Sequence, residues 1–353
     1  MSKLILSMLL AAGLVCHASA AVAAVEYKIV TASERGTYIK IGRDLAQFVA
    51  PSADIKLEAL PSAGSADNAR RLRYEPGVKL ALVQSDVYQS FVDLAAGGNA
   101  AARNLIRPLR VILPLYNEEI HFIVRADSER NFIHEINNAK LNAGEQGSGT
   151  ALTSATLYRL MFGASMPDAS TSYLSNEEAL AKLVTDKTVD VVAVVAGQPA
   201  KLFVDMKPES RKLIKLLKFD PNHSSSKEVL KTYFPAEVRA INYPNLLTTD
   251  IPGLAVKAFL VTYDFQRKDT EGHMRNMARS LCQNFKVLQE KGHPKWREVE
   301  LALPDLGRGW FYYPPTTREI RSCIAEKPKM ETRVKSPPAK VCPQQEQILG
   351  LCR

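Results

Sequence analysis

Five short segments concentrate hydroxyl, amide and glycine residues of the kind that hold a ligand's oxygens. They are Thr31 to Tyr38 (T-A-S-E-R-G-T-Y), Pro61 to Asn68 (P-S-A-G-S-A-D-N), Gln84 to Asp86 (Q-S-D), Gly144 to Thr150 (G-E-Q-G-S-G-T) and Ala196 to Pro199 (A-G-Q-P). Small hydroxyls and amides donate to carboxylate oxygens without filling the space. In G-S-G-T the glycines let the backbone approach a ligand, Ser148 and Thr150 add hydroxyls, and a helix starting there adds free N–H groups and its positive dipole end. Capping alone accounts for Ser or Thr in any one such turn. Five turns of one character, split between two parts of the chain, point to a cleft that binds a small anion.

Catalytic readings find less. Ser148 is not in a G-x-S-x-G elbow, because Gly149 follows it directly, so a secreted serine hydrolase is the weakest alternative. His121, inside the apolar run I-H-F-I-V, reads as a packed or hinge-side histidine. Glu118 and Glu119 are adjacent, so in an extended segment they point apart and form no acid/base pair; a solvated loop is expected, with one of them facing the cleft near the inferred hinge as the alternative. Gly144 to Thr150 lacks the lysine of a phosphate-binding loop. No cysteine has a Cys or His neighbour at zinc spacing, so neither metal nor cofactor is expected. Trp310 to Pro315 (W-F-Y-Y-P-P) reads as a lobe-packing patch, with a docking surface as the alternative.

The elements that must position these turns alternate. Strands are expected at Tyr27 to Thr31, Ile55 to Leu60 and Leu80 to Val83, with helices at Thr37 to Val49, Ser65 to Tyr74 and Ser85 to Ala95; such alternation means a parallel sheet covered on both faces. Two strands without a helix between them follow, Leu109 to Tyr116 and Ile120 to Arg125, where the chain is expected to leave one sheet for another. Alternation resumes with strands at Lys140 to Ala143, Thr171 to Leu174, Val189 to Val195 and Leu213 to Phe219, and helices at Thr150 to Met161, Glu177 to Val184 and Pro199 to Met206. Pro244 to Pro252 reads as loop, Leu254 to Tyr263 as a long strand, and Asp269 to Gln289 and Thr316 to Ala325 as helices.

Lys3, the apolar run from Leu4 to Val15 and Ala18-Ser19-Ala20 form a secretory signal, too short for the ~20 residues of a membrane span. Cleavage after Ala20 and after Ala24 are both open, and Val15 before Cys16 argues against a lipid anchor. The chain has 353 residues, enough for about two cores. Its formal charge of +9 comes from Lys and Arg scattered among acidic residues; a solvated surface that steers anions fits an exported protein better than nucleic-acid binding. Cys282, Cys323, Cys342 and Cys352 allow three connectivities, of which Cys282–Cys323 and Cys342–Cys352 are favoured.

Taken in order and spacing, T-A-S-E-R-G-T-Y, A-G-S-A-D-N, L-V-Q-S-D (Leu82 to Asp86), G-E-Q-G-S-G-T, V-V-A-G-Q-P (Val194 to Pro199) and G-H-P-K-W (Gly292 to Trp296) resemble the TAXI family of substrate-binding subunits of tripartite ATP-independent periplasmic (TRAP) transporters. The resemblance runs from Tyr27 to about Pro315. It implies a type 2 periplasmic-binding-protein fold, α/β with two doubly wound lobes around an interlobe cleft. It further implies a non-enzymatic receptor for a glutamate-like amino acid or small carboxylate, with transporter membrane subunits as partner. Carried over position by position, it implies a ligand shell of Thr37, Tyr38, Ser65, Asn68, Gln84, Ser85, Ser148, Gly149, Thr150, Gly197 and Pro199. The first turn departs from the family's glycine-rich form: Ala32, Ser33, Glu34 and Arg35 would narrow the pocket, and Arg35 could add a cation. The expected organisation is a signal peptide (1–24), lobe I (25–117 plus 252–325), lobe II (118–251) and a basic tail (326–353), in a monomer. A periplasmic sensor serving a membrane signalling protein is the alternative use of the same fold.

Overall fold

The computed structural model describes residues 24–34, 36–306 and 309–326. The signal segment, Arg35 and the tail with Cys342 and Cys352 lie outside the described residues.

The first part of the chain alternates β1 (Val25–Val30), α1 (Thr37–Asp44), β2 (Ile55–Leu60), α2 (Ser65–Tyr74), β3 (Val78–Gln84), α3 (Val87–Ala96) and α4 (Ala100–Ile106). In β2, Ile55 and Leu57 are buried while Lys56 and Glu58 are exposed, the period-two pattern of a strand with one wet face. β3 is apolar almost throughout and lies inside the sheet, parallel to β1.

β4 (Leu109–Arg125) then runs for 17 residues without interruption. Beyond it come β5 (Leu141–Asn142), α5 (Gly149–Phe162), β6 (Thr171–Ser172), α6 (Asn176–Val184), β7 (Val191–Ala196), α7 (Lys201–Val204), β8 (Ile214–Leu216), α8 (Ser226–Val229) and β9 (Phe234–Val238). The chain returns through β10 (Ile251–Tyr263) and ends in α9 (Lys268–Lys291) and α10 (Pro314–Glu326), joined by the Cys282–Cys323 disulfide with Cα atoms 6.2 Å apart.

The strands are hydrogen-bonded in the order β2-β1-β3-β10-β4-β7-β5-β6, with β8 on β4 and β9 on β10. Side chains alternate across β10, so Ala258 and Leu260 enter one core with α1 and α9, while Phe259 and Val261 enter another with α2 to α4. β7 does the same farther along: Val191 and Ala193 face α5, and Val192 and Val194 face α6 and α7. Four cores in two pairs make a mixed α/β molecule of two lobes. β4 passes from one pair to the other between Tyr116 and Ile120, and β10 between Val256 and Ala258.

The expected break at Asn117–Glu119 is therefore absent. Asn117, Glu118 and Glu119 stay paired with Lys257, Val256 and Ala255 of the antiparallel β10. Polar residues in mid-strand usually mark a turn, but these carboxylates find partners above and below the sheet, so the ladder continues.

Candidate functional site

The crossing of β4 and β10 is roofed by turns from both lobes. Gly36 caps α1 in extended conformation, which places Tyr38 in the first helical turn, where its Oη donates to Oε2 of Glu118 at 2.7 Å. Gln84, at the end of β3, also hydrogen-bonds Glu118 through its side chain. Its backbone N donates to Ser65 Oγ at 3.1 Å, tying β3 to the start of α2. The second lobe presses back with the first residue of α5: a Cβ on Gly149 would come within 2.0 Å of Gln84 Oε1. Gly64, at φ +125°, leaves only 3.0 Å between its own would-be Cβ and the Gly149 N, so conformation and space both require glycine there.

On the other face of β4, Glu119 Oε2 accepts from Gln198 N at 3.0 Å. The Gln198 side chain bridges to Glu237 O (2.7 Å) and Arg239 N (2.7 Å), fixing the turn after β7 against β9. A buried cation, Lys295, reaches this region. Asp44, at the end of α1, accepts from His293 N (2.7 Å) and Trp296 Nε1 (2.8 Å), folding G-H-P-K-W into a tight turn. That turn buries Lys295, whose Nζ lies 2.6 Å from Glu298 and 5.5 Å from the Tyr116 ring centre. Gly197 leaves room for it, since a Cβ there would sit 2.6 Å from Lys295 Cε.

Beside this cluster a wall joins the lobes. Asp86 Oδ2 accepts from Thr153 Oγ1 (2.7 Å) on α5 and from Tyr233 Oη (3.0 Å). Farther along, Ser90 and Thr156 hydroxyls lie 2.6 Å apart, and Arg159 pairs with Asp93. Asp86 Oδ1 and Tyr116 Oη are buried with no hydrogen-bond partner among the described residues.

Burial dominates the electrostatics. It raises Glu118 to about 7 against the lowering effect of its Tyr38 and Gln84 hydrogen bonds. It raises Asp86 to about 6 despite two donors, and it raises Glu119 as well. His121, packed 4.8 Å from the Phe203 ring with Nδ1 3.3 Å from Val194 O, is pushed down to about 4 by the same cause.

Of the residues expected in a ligand shell, Tyr38, Ser65, Gln84, Ser148 and Gly149 meet here, and Gly197 lies beside Lys295. The others are engaged otherwise. Asn68 is fully buried, donating to Thr31 O (2.5 Å) and Leu82 O (2.6 Å) and accepting from Ser62 Oγ (2.6 Å). Ser85 braces Lys257 N and Trp310 Nε1. Thr150 Oγ1 accepts from Val195 N, holding α5 to β7. Ser148, although it meets the cluster, has its Oγ engaged as the cap of α5, accepting from Ala151 N (3.0 Å). Thr37 is half-buried, and Pro199, after a cis peptide bond, is exposed. In the unusual first turn, Glu34 turns outward to pair with Arg43 at 2.6 Å.

The sequence placed Asp86 and Lys295 in motifs without giving either a role, and held Glu118 or Glu119 facing the cleft only as the second reading. The expectation of a solvated loop at Glu118–Glu119 is corrected: both are buried, because Tyr38 and Gln84 cover one and Gln198 the other. The available signal was the apolar sequence on both sides of the pair, L-P-L-Y and I-H-F-I-V.

A family described as the NMT1-like family matches residues 29–307. Among solved structures, a TctC solute binding protein from Polaromonas is similar at 17% identity, over 76% of this chain and 87% of that one, with TM-score 0.39. The periplasmic binding protein BugD is similar at 12% identity over 85% and 95%, with TM-score 0.44. A putative periplasmic sulfonate-binding protein SsuA from Methylobacillus flagellatus is similar at 11% identity over 86% of each chain, with TM-score 0.44.

Proposed function

The chain belongs to the NMT1-like family, and from that premise we propose that it is an exported, periplasmic receptor that closes its two lobes around a small solute. The lobes we take are 25–117 with 252–325 and 118–251, the return strand crossing between them at Lys257 rather than at 252, since Leu254 and Val256 pack in the second-lobe core. Closure bends the crossing strands near Asn117 and Lys257. The supporting observation is that turns from opposite lobes, at Gly64, Gln84 and Gly149, converge on buried polar groups of a strand shared by both lobes. A polar cluster of that kind between two α/β lobes is a place for a ligand's own polar groups.

The site narrows the ligand. Among the described residues, Asp86, Glu118 and Glu119 bring three buried carboxyl groups against one buried cation, Lys295, already paired with Glu298. A bare dicarboxylate would meet like charge. An amino acid instead offers its ammonium to Glu118 and its carboxylate to the N-termini of α1, α2 and α5. We therefore favour an amino acid, of acidic or amide type, delivered to the membrane subunits of a TRAP-type transporter as the TAXI-like motifs imply.

A thermal-shift screen of amino acids and organic acids tests this. One amino acid should stabilise the protein by about 2.7 kcal/mol at a hundredfold excess over its Kd; no stabilising compound in the panel would overturn the reading.

A further inference from the structure

At the pole of the first lobe farthest from the crossing, a groove runs along the start of β4 and the end of β10. Arg110 lies seven residues before Asn117, roughly 23 Å along the strand, so the groove is separate from the cleft. Arg73, Arg107, Arg110, Asn104, Gln266 and Asp264 line a cavity of about 430 Å³. It continues into a second of about 240 Å³, which shares Arg107 and Arg110 and is bordered by Arg103 and Phe311.

Some guanidinium groups elsewhere on the surface are paired and others, such as Arg211, Arg239, Arg318 and Arg321, have no ion pair among the described residues; those of the groove are set apart by standing together on one concavity. Arg71 pairs with Glu75 at 2.5 Å, Arg43 with Glu34 at 2.6 Å and Arg279 with Glu319 at 2.7 Å. Among the described residues, Arg73, Arg103 and Arg107 have neither an ion-pair partner nor a side-chain hydrogen bond; Arg73 only overlies the Tyr263 ring at 5.9 Å. Arg110 shares Asp264, 3.6 Å away, the one carboxylate lining either cavity. Basic residues often sit at helix C-termini because of the dipole, and Arg73 and Arg103 occupy last turns of α2 and α4. That does not explain Arg107 and Arg110, which lie beyond α4, nor why the four gather on one concavity. Phe311 at its rim is 64% exposed, while its neighbours Trp310 and Tyr313 are buried.

We propose that this groove docks an acidic segment of a partner protein, its carboxylates held by Arg73, Arg103 and Arg107 and a flanking apolar side chain resting on Phe311. Guanidinium forks match carboxylates in pairs, and an exposed aromatic beside them supplies the desolvated anchor an interface needs. The concavity favours an extended peptide over a membrane surface, which would need a convex basic face. Because the groove lies away from the cleft, it is available whether the lobes are open or closed.

The test measures binding of the mature protein to a fluorescein-labelled peptide of six Asp-Glu repeats, by anisotropy at 50 and 150 mM salt, beside phosphatidylglycerol vesicles. The proposal expects peptide binding that weakens about tenfold or more in R73Q/R103Q/R107Q and stays unchanged in K207Q/K212Q/K227Q, which removes equal charge from the second lobe. No binding, equal loss in both variants, or binding to vesicles without binding to peptide would each overturn it. All six positions are exposed, and a circular-dichroism melt matching the parent for each variant makes the comparison one between folded proteins.

Discussion

Glu118 carries more of the functional reading than any other side chain. Its carboxyl is held at about 7 by burial, against 4.5 when free. A carboxyl raised on folding binds more protons folded than unfolded, so stability falls as pH rises through 4.5 towards 7, and the full cost is present above that. Glu118→Gln removes the cost while keeping an acceptor for Tyr38. Urea titrations should find the variant more stable than the parent at pH 8, by up to about 3 kcal/mol, and about equal to it at pH 4. A stability difference between parent and variant that stays constant from pH 4.5 to 7 would contradict the burial. His121 works in the opposite direction, since a histidine pushed down to about 4 loses stability as pH falls below 6.5. Neither effect was legible in the sequence. Tyr38 lies 80 residues before Glu118 and Gln198 79 after Glu119, so only the fold reveals what covers these carboxylates.

Elements were more legible than contacts. β2 and α2 fall where alternation and the Gly64–Ser65 turn placed them, because each strand is apolar on its inner face and each turn is marked by small residues. α4 escaped notice because Gly97-Gly98-Asn99 reads as a loop; Asn99 is in fact its cap, accepting from Ala102 N at 3.0 Å. β9 escaped because Pro235 and exposed side chains hide a strand pairing only with β10. G-H-P-K-W was legible as a motif but not as a device: Asp44 holds it shut and so delivers Lys295 to the crossing. Asp44→Ala leaves the His293 N and Trp296 Nε1 donors unpaired, and should cost about 3 kcal/mol in urea unfolding; a change under about 0.5 kcal/mol would deny the turn that role. The Cys282–Cys323 bond fixes α10 on α9 across 41 residues. Its replacement by a pair of serines should cost about 4 kcal/mol on the loop-closure account, and an unchanged midpoint would show that packing alone seats α10.

For the whole molecule, two lobes with separate cores share only β4 and β10 as continuous strands, while Asp86, Ser90 and Asp93 reach across to α5 and Tyr233 beside the cleft. On the function we propose, such a body bends at Asn117 and Lys257, and a ligand between the lobes would bias that motion. The small-anion expectation came from hydroxyls and helix N-termini in the turns; the buried carboxyls beneath them shift it to a solute carrying both charges. The most direct measurement is isothermal titration of the mature protein, unfolded and refolded to free it of bound solute, with each acidic and amide amino acid and its des-amino analogue. One amino acid should bind with 1:1 stoichiometry, its des-amino analogue at least about tenfold more weakly, and Glu118→Gln should erase that difference. Equal binding of both partners of a pair, or a preference that survives Glu118→Gln, would contradict the account.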